Sequence, residues 1–362
     1  MKIALFLIGY GNVAQRFVQL LDESKPYLDG LGIEPTVAAV ITRHHGRAVN
    51  LPAGATHATI ADAISRDVTV EAEPLRFLAA TLDDPQAQRF PVRVLVETST
   101  LDIRAGEPAT SHVRAALSRG IHVITANKGP VAFAYRQLAD EAAKTGASFL
   151  FEGAVMDGIP IFNLVRETMP GVTIRSFRGV VNTTTNYLLA AMERGQSFDA
   201  ALGRMQAAGV AEADPSLDVD GWDAAAKTAA LANVWLGAEL TPQLIHREGI
   251  TPDTGVRARD ALTRGRRLKL VVSAAGSGRE ASGRVALAEF PLDDPLAILE
   301  EHGNALELDT WPLGRVVITQ RDGGLEKTAY ALLTDLVTVA RREMAAGRPP
   351  RDAAWRRAHR ND

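Results

Sequence analysis

Lys2-Ile3-Ala4-Leu5-Phe6-Leu7-Ile8-Gly9-Tyr10-Gly11-Asn12-Val13-Ala14 opens the chain with an apolar run of strand length, a two-glycine turn and the start of a helix whose apolar spacing continues to Leu21. A strand that is apolar at every position, rather than at alternate ones, is one covered on both faces. The glycines have separate tasks. Gly9 permits the tight turn, Gly11 lets backbone approach a ligand, and Ala14 keeps the helix close to the strand while the helix N-terminus faces an anion. The stretch therefore reads as a seat for a dinucleotide pyrophosphate, against the plainer reading of a bare strand–helix turn.

Working outward, strands are predicted at 36–42, 93–99, 122–126 and 148–152, with helices at 107–119 and 131–145 that end at Gly120 and Gly146. Segment 46–88 is less regular and reads as a decorated connection. Strands and helices in alternation, with continuous apolar runs, predict a parallel sheet covered on both faces. After Gly153 the pattern changes: a strand at 172–181, helices at 184–193, 198–208 and 221–236, further strands at 268–273, 284–287, 305–308 and 315–319, then a helix from Leu325 to Arg342. The expected fold is an α/β Rossmann-type nucleotide-binding domain, residues 1–150 together with 320–342, carrying an inserted α+β domain, 151–319. A basic, flexible tail follows at 343–362.

Composition narrows the chemistry. The 362 residues include no Cys, which excludes a disulfide scaffold, a thiol enzyme and a cysteine zinc site. No apolar run approaches the roughly 20 residues of a membrane span, and a net charge of -3 recruits neither nucleic acid nor anionic lipid. No secretory signal is apparent at the N-terminus, and a cytoplasmic location is expected. Of the 40 Lys and Arg only seven are Lys, so each lysine is worth placing.

Three stretches carry candidate chemistry. The second strand ends in Val40-Ile41-Thr42-Arg43, with no acid to hold a ribose 2′-hydroxyl, and Arg43 is placed to pair with a 2′-phosphate; NADP is preferred over NAD, the alternative being an exposed loop charge. Thr98 and Ser99 follow the third strand and Lys128 the fourth, where the crevice of such a sheet lies. Last comes Glu212-Ala-Asp214-Pro-Ser-Leu-Asp218-Val-Asp220-Gly-Trp-Asp223-Ala-Ala-Ala-Lys227. With Asp220 as helix cap, Asp223 and Lys227 stand one turn apart on a face shared with Leu231 and Val234. Such a pair on a buried stripe is either a structural ion pair or an active-site pair. The carboxylates before it would hold a cation or an ammonium group, or form a solvated acidic loop.

In combination, Gly9–Ala14, Thr125-Ala-Asn-Lys128, Gly153-Ala-Val-Met-Asp-Gly158-Ile-Pro160, Gly179-Val-Val-Asn-Thr-Thr-Thr-Asn-Tyr187 and 211–227 resemble the homoserine dehydrogenase family, in its order and over nearly the whole chain. The resemblance implies interconversion of L-homoserine and L-aspartate 4-semialdehyde with NAD(P), within amino-acid biosynthesis towards threonine and methionine, by a homodimer whose partners are small molecules. It makes Lys128 and Lys227 the lysines beside the reacting oxygen, with Asp223 positioning Lys227; a lysine whose pKa is lowered by burial or a neighbouring cation would serve in proton transfer. Glu212 and Asp218, with Asp223 and Lys227, would bind substrate. Gly9, Gly11, Asn12, Val13, Arg43, Thr98, Ser99, Lys128 and Gly324 would contact the cofactor. Glu152, Val155, Asp157 and Ile159 match a loop that holds a monovalent cation such as sodium.

Two departures from the family pattern stand out. Thr183 replaces a customary glycine, where a positive φ would be strained, and Gln320-Arg-Asp-Gly-Gly324 replaces a glycine-rich run, where Arg321 and Asp322 would alter cofactor contacts or substrate choice. They keep open a paralogous dehydrogenase of another hydroxy amino acid, and, from another class, a dinucleotide-binding sensor without catalysis. The short stretch after the matched region leaves no room for a regulatory domain, so the short form of the family is expected.

Overall fold

The structure is a computed structural model and describes residues 1–43, 46–51, 54–55, 57–66, 74–207 and 214–347. Strand β1 (Lys2–Ile8) alternates its side chains between two apolar clusters, which is why the run is unbroken. Ile3, Leu5 and Leu7 pack with Phe17, Leu332 and Leu336, whereas Ala4, Phe6 and Ile8 pack with Val113, Leu117 and Leu138. Around β1 a six-stranded sheet forms from β2 (Glu34–Ile41), β3 (Arg47–Val49), β4 (Val92–Glu97), β5 (His122–Thr125) and β6 (Phe149–Leu150) in the order β3-β2-β1-β4-β5-β6. All neighbours are parallel except β2 and β3. The chain moves outward from β1 in one direction to β2 and later in the other to β4, so the crevice of this sheet opens where β1 and β4 end. Gly9 donates its N–H to Ile41 and Thr98 to Ile8, which ties the two loops together.

The second sheet contains β7 (Thr173–Val180), β8 (His246–Arg247), β9 (Arg266–Ala275), β10 (Ser282–Pro291), β11 (Asn304–Trp311) and β12 (Gly314–Gln320) in the order β12-β11-β7-β9-β10-β8. It is antiparallel apart from the short β8–β10 pair. Helices Thr183–Glu193, Trp222–Trp235 and Thr254–Thr263 pack against it. The helix Trp222–Trp235 also lies against Lys128–Thr145 of the first half. Its buried face is largely alanine (Ala224, Ala225, Ala226, Ala229, Ala230 and Ala232), which lets the two helices approach closely. There Asn233 donates to the carbonyls of Val131 and Ala132, close to the kink at Ala134.

Several local readings change. The helix expected from Val131 begins at Lys128, because the Asn127 side chain accepts from the N–H of Gly129 and caps it. Asp220 is not the cap of the following helix. It ends the short turn Ser216–Val219, and Gly221, with a φ of 79°, makes the break that a residue with Cβ would resist. Segment 46–88 holds helices at His57–Arg66 and Pro74–Leu82, and further short helices occur at Lys25–Gly30, Ile161–Thr168 and Thr254–Thr263. The last helix, Leu325–Ala346, runs four residues past the expected Arg342 and buries Ala329, Leu332, Leu333, Leu336, Val339 and Ala340 against the first sheet. Arg16 clamps its start, bonding Glu326 as well as Glu23. The rest of the expected tail, 348–362, lies outside the described residues. Among the described residues no helix is long and apolar enough to cross a membrane.

Candidate active site

A cavity of about 890 Å³ opens at the crevice of the first sheet, walled by Gly9, Tyr10, Gly11, Arg43, His57 and the turn 98–100. Gly9 sits at φ +86°, and a Cβ there would come within 2.6 Å of the Thr98 carbonyl oxygen, so glycine is demanded by both conformation and space. Around Gly11 the space is open, with no atom within 4 Å of where its Cβ would stand. The helix that follows, Asn12–Glu23, has neither a side-chain cap nor an acid in its first turn. Its first N–H groups therefore have no side-chain partner and border the cavity, and these residues fit a pyrophosphate. Among the described residues no Asp or Glu lines this cavity, while the exposed Arg43 does. Tyr10 bonds His57 Nδ1 at 2.9 Å, and burial pushes its phenol up to about 12.

Thr98, Ser99 and Thr100 are also the wall of a second cleft, of about 520 Å³, which runs between the two halves of the molecule. Here Lys128, Asp223 and Lys227 converge. Asp223 Oδ1 lies 3.2 Å from Lys128 Nζ and its Oδ2 3.1 Å from Lys227 Nζ. Lys227 also donates to the Val181 carbonyl at 2.6 Å, and Asn182 Nδ2 bridges Asp218 at 2.7 Å and Asp223 at 2.8 Å. The i,i+4 pair read from sequence is present, with Leu231 buried and Val234 half-buried on the same face. The added finding is Lys128: one carboxylate holds two ammonium groups, one from each half.

The electrostatics follow from that sharing. Burial alone would raise the Asp223 carboxyl, but Lys227 and then Lys128 reverse it and hold the group well below the usual carboxylate range. Burial pushes Lys227 down, yet Asp223 and Asp157 outweigh it, and its pKa is raised. This corrects the expectation of a depressed lysine: its neighbouring carboxylates favour the Lys227 ammonium. Asp218 moves up, through burial and then through its neighbour Asp223.

The remaining candidates are spread more widely. Val13 and Lys128 line the cleft, whereas Asn12 is the exposed first residue of its helix. Glu212 lies outside the described residues. Gly324 starts the last helix and donates its N–H to Asp157 at 2.9 Å, one turn from Thr328, which lines the cleft. Glu152 turns both carboxylate oxygens to the backbone N–H groups of Phe162 and Asn163, the Ile159 carbonyl accepts from Ile161, and Asp157 accepts from Gly324 and Thr328. Each of these oxygens accepts a hydrogen bond from the protein, and among the described residues no group of three His, Asp or Glu could hold a metal ion. Thr183 takes ordinary helical backbone behind the Asn182 cap, so the expected strain is absent. Arg321 and Asp322 line a separate recess beside Lys269, apart from both cavities.

Sequence reasoning missed Asn182 and Glu97 as site residues. Asn182 stands in the Gly179–Tyr187 stretch, and its bonds to Asp218 and Asp223 arise only from tertiary packing. Glu97 carried a signal of its own, an acid closing an otherwise apolar strand.

Comparison with known proteins follows the same two halves. A family model described as "Homoserine dehydrogenase, NAD binding domain" matches residues 9–152, and one described as "Homoserine dehydrogenase" matches 160–337. The NAD(+)-dependent homoserine dehydrogenase of Pseudomonas canavaninivorans is 32% identical over 92% of this chain and 95% of its own. The homoserine dehydrogenase of Sulfurisphaera tokodaii is 33% identical over 94% and 99%. Among solved structures, a putative homoserine dehydrogenase from Archaeoglobus fulgidus superposes with a TM-score of 0.79 at 28% identity, covering 94% of this chain and 99% of that one. A hyperthermophilic archaeal homoserine dehydrogenase in complex with NADPH gives 0.74 at 25%, covering 94% and 98%.

Proposed function

The chain belongs to the homoserine dehydrogenase family, and on that premise we propose how its residues carry the reaction of an NAD(P)-dependent oxidoreductase acting on a CH–OH group. The reaction interconverts L-homoserine and L-aspartate 4-semialdehyde. One observation carries the reading: the Lys128–Asp223–Lys227 cluster stands in a cleft that shares the 98–100 turn with the dinucleotide cavity.

When bound, the nicotinamide gives hydride to the aldehyde carbon or takes it from the alcohol carbon. The chain supplies the proton and the orientation. Lys227, kept as an ammonium by Asp223, donates its proton to the aldehyde oxygen as hydride reaches the carbon; oxidation runs the same path backward from the neutral amine. Lys128 brings a second ammonium to that oxygen from the facing wall, and Asp223 fixes the distance between the two. Asp218, with Glu212, binds the substrate ammonium group. Gly9, Gly11, Asn12 and Val13 hold the pyrophosphate at the helix N-terminus, and Thr98 and Ser99 separate cofactor from substrate. A monovalent cation such as sodium would be held by the loop of Glu152, Val155, Asp157 and Ile159, and no step above is routed through it.

Arg43 supports a preference for NADP, since it lines a cavity wall on which, among the described residues, no acid stands. We further infer a division into residues 1–150 with 320–342 for cofactor and 151–319 for substrate and dimerisation, and a cytoplasmic homodimer working towards threonine and methionine on small molecules alone. The departures that suggested another hydroxy amino acid lose their force: Thr183 is unstrained and Arg321-Asp322 faces a separate recess. Nothing favours a non-catalytic sensor over the enzyme. The test is a spectrophotometric assay of purified protein with aspartate semialdehyde, run separately with NADPH and NADH. Consumption of NADPH at a clearly higher kcat/KM supports the reading; no consumption of either cofactor overturns it.

A further inference from the structure

Glu97 ends β4 with its side chain wholly buried, and among the described residues no Lys or Arg pairs with it. A buried carboxylate without a cation is costly unless every lone pair it exposes is used. Here neutral groups do that work. Oε1 accepts from the Ser99 N–H at 3.0 Å and from the Ser99 hydroxyl, while the Thr125 hydroxyl shares its one proton between Oε2 at 3.0 Å and the Glu97 carbonyl oxygen at 2.9 Å. The imidazole of His112, also buried, places Nδ1 3.8 Å from Oε1, and that nitrogen has no hydrogen-bond partner.

The contacts continue in two directions. Ser99 belongs to the turn shared by the cofactor cavity and the catalytic cleft. The Thr125 oxygen accepts from the N–H of Asn127 at 2.9 Å, and Asn127 then does two things: its Nδ2 donates to the Ser99 carbonyl at 2.9 Å, and its Oδ1 caps the helix whose first residue is Lys128. The ring Glu97–Ser99–Asn127–Thr125 is therefore closed, with Lys128 attached to it. Breaking it frees both the shared turn and the helix start at once, and displacement of about 1 Å in a reacting group is enough to cost on the order of 100-fold in rate.

We propose that Glu97 is the positioning residue of this site: its buried carboxylate, flanked by His112, holds the 98–100 turn and the Asn127 cap so that Lys128 meets Asp223 across the cleft. The proposal rests on the reading of Lys128 as a group beside the reacting oxygen, and it acts through that residue.

A double-mutant cycle tests it, with kcat, KM for homoserine and the NADPH Kd measured by fluorescence for Glu97→Gln, Glu97→Ala, Lys128→Ala and the combinations. Glu97→Ala is expected to lower kcat by about 10- to 100-fold, Glu97→Gln by less, with KM within about threefold, and neither to lower kcat further by more than about twofold in the Lys128→Ala background. Equal losses in both backgrounds overturn the proposal, as does a lowered Tm with unchanged kcat per NADPH-binding site. Should the Glu97 variants not fold, Thr125→Val cuts the same ring at the hydroxyl. A loss of kcat that disappears in the Lys128→Ala background supports the proposal, and wild-type kcat overturns it. Wild-type turnover in Lys128→Ala overturns the catalytic reading along with the proposal; loss there, with the Glu97 and Thr125 variants untouched, overturns the proposal alone.

Discussion

Lys128 and Asp223 come from opposite halves of the molecule and meet at 3.2 Å across the cleft. Lys128 starts the helix after β5, whereas Asp223 lies in the first turn of a helix packed on the second sheet. Their contact makes the proposed proton-transfer site depend on both halves at once, and hydride transfer calls for the water-poor site that such a shared cleft can offer.

Removal of either lysine or of the shared carboxylate should therefore strike turnover rather than cofactor binding. Lys128→Ala, Lys227→Ala and Asp223→Asn are each expected to lower kcat by about 100-fold or more. Their NADPH Kd should change far less than kcat, because the cavity proposed to seat the dinucleotide is lined by none of the three residues. Steady-state kinetics with a direct binding titration checks this, and unchanged turnover in both lysine variants would remove the assignment.

The pH dependence has a definite sign. Asp223 is depressed from its ordinary 3.8, so the stability it contributes is present above that value and lost only as pH falls through the lowered one. Lys227 is raised from its ordinary 10.5, so its contribution is present below 10.5 and lost as pH climbs past it through the raised value. Between these limits the pair contributes a constant amount. In Asp223→Asn the Lys227 ammonium loses the carboxylate 3.1 Å away, and the alkaline limb of thermal stability should move to lower pH. Thermal melts across the alkaline range read this directly.

Cofactor choice should turn on Arg43. A charge-assisted hydrogen bond to a 2′-phosphate is worth about 1.5–3 kcal/mol, or roughly 10- to 150-fold. Arg43→Ala is expected to reduce kcat/KM for NADPH by that factor and for NADH by less than about threefold. Equal losses with both would detach Arg43 from the 2′-position.

Two glycines offer a controlled comparison. Gly32 and Gly9 both have positive φ, but only Gly9 has a neighbour in the way, the Thr98 carbonyl. Gly32→Ala should cost about 1 kcal/mol of stability and leave activity intact, since only the conformational penalty applies. In Gly9→Ala the same penalty is joined by a clash that must displace the 98–100 turn, and NADPH affinity should fall with it. Melting curves and cofactor titration separate the two effects.

The sequence made some of this plain and hid the rest for identifiable reasons. The β1–turn–helix unit was legible because each of its residues answers a local demand, and the Asp223–Lys227 pair was legible because helical spacing fixes i,i+4 neighbours. Lys128 was located, but its partnership with Asp223 depends on how two halves dock, which no local period encodes. The lysine pKa was misjudged for the same cause: burial is readable from an alanine-rich face, while the carboxylates that outweigh it come from elsewhere in the fold. The helices within 46–88 are only ten and nine residues long, too short for an apolar stripe to stand out, and tertiary packing supplied what their pattern did not.

The last helix covers one face of β1, where Ile3, Leu5 and Leu7 meet Leu332 and Leu336. Synthesis runs from the other end. The ribosome releases these strand residues some three hundred residues before the helix that seals them exists, so the first-made sheet emerges with a greasy flank and waits. Nascent chains arrested before Leu325 should be sticky, protease-sensitive and dependent on holding chaperones, and the nucleotide-binding half becomes fully formed only once Leu325–Ala346 has emerged.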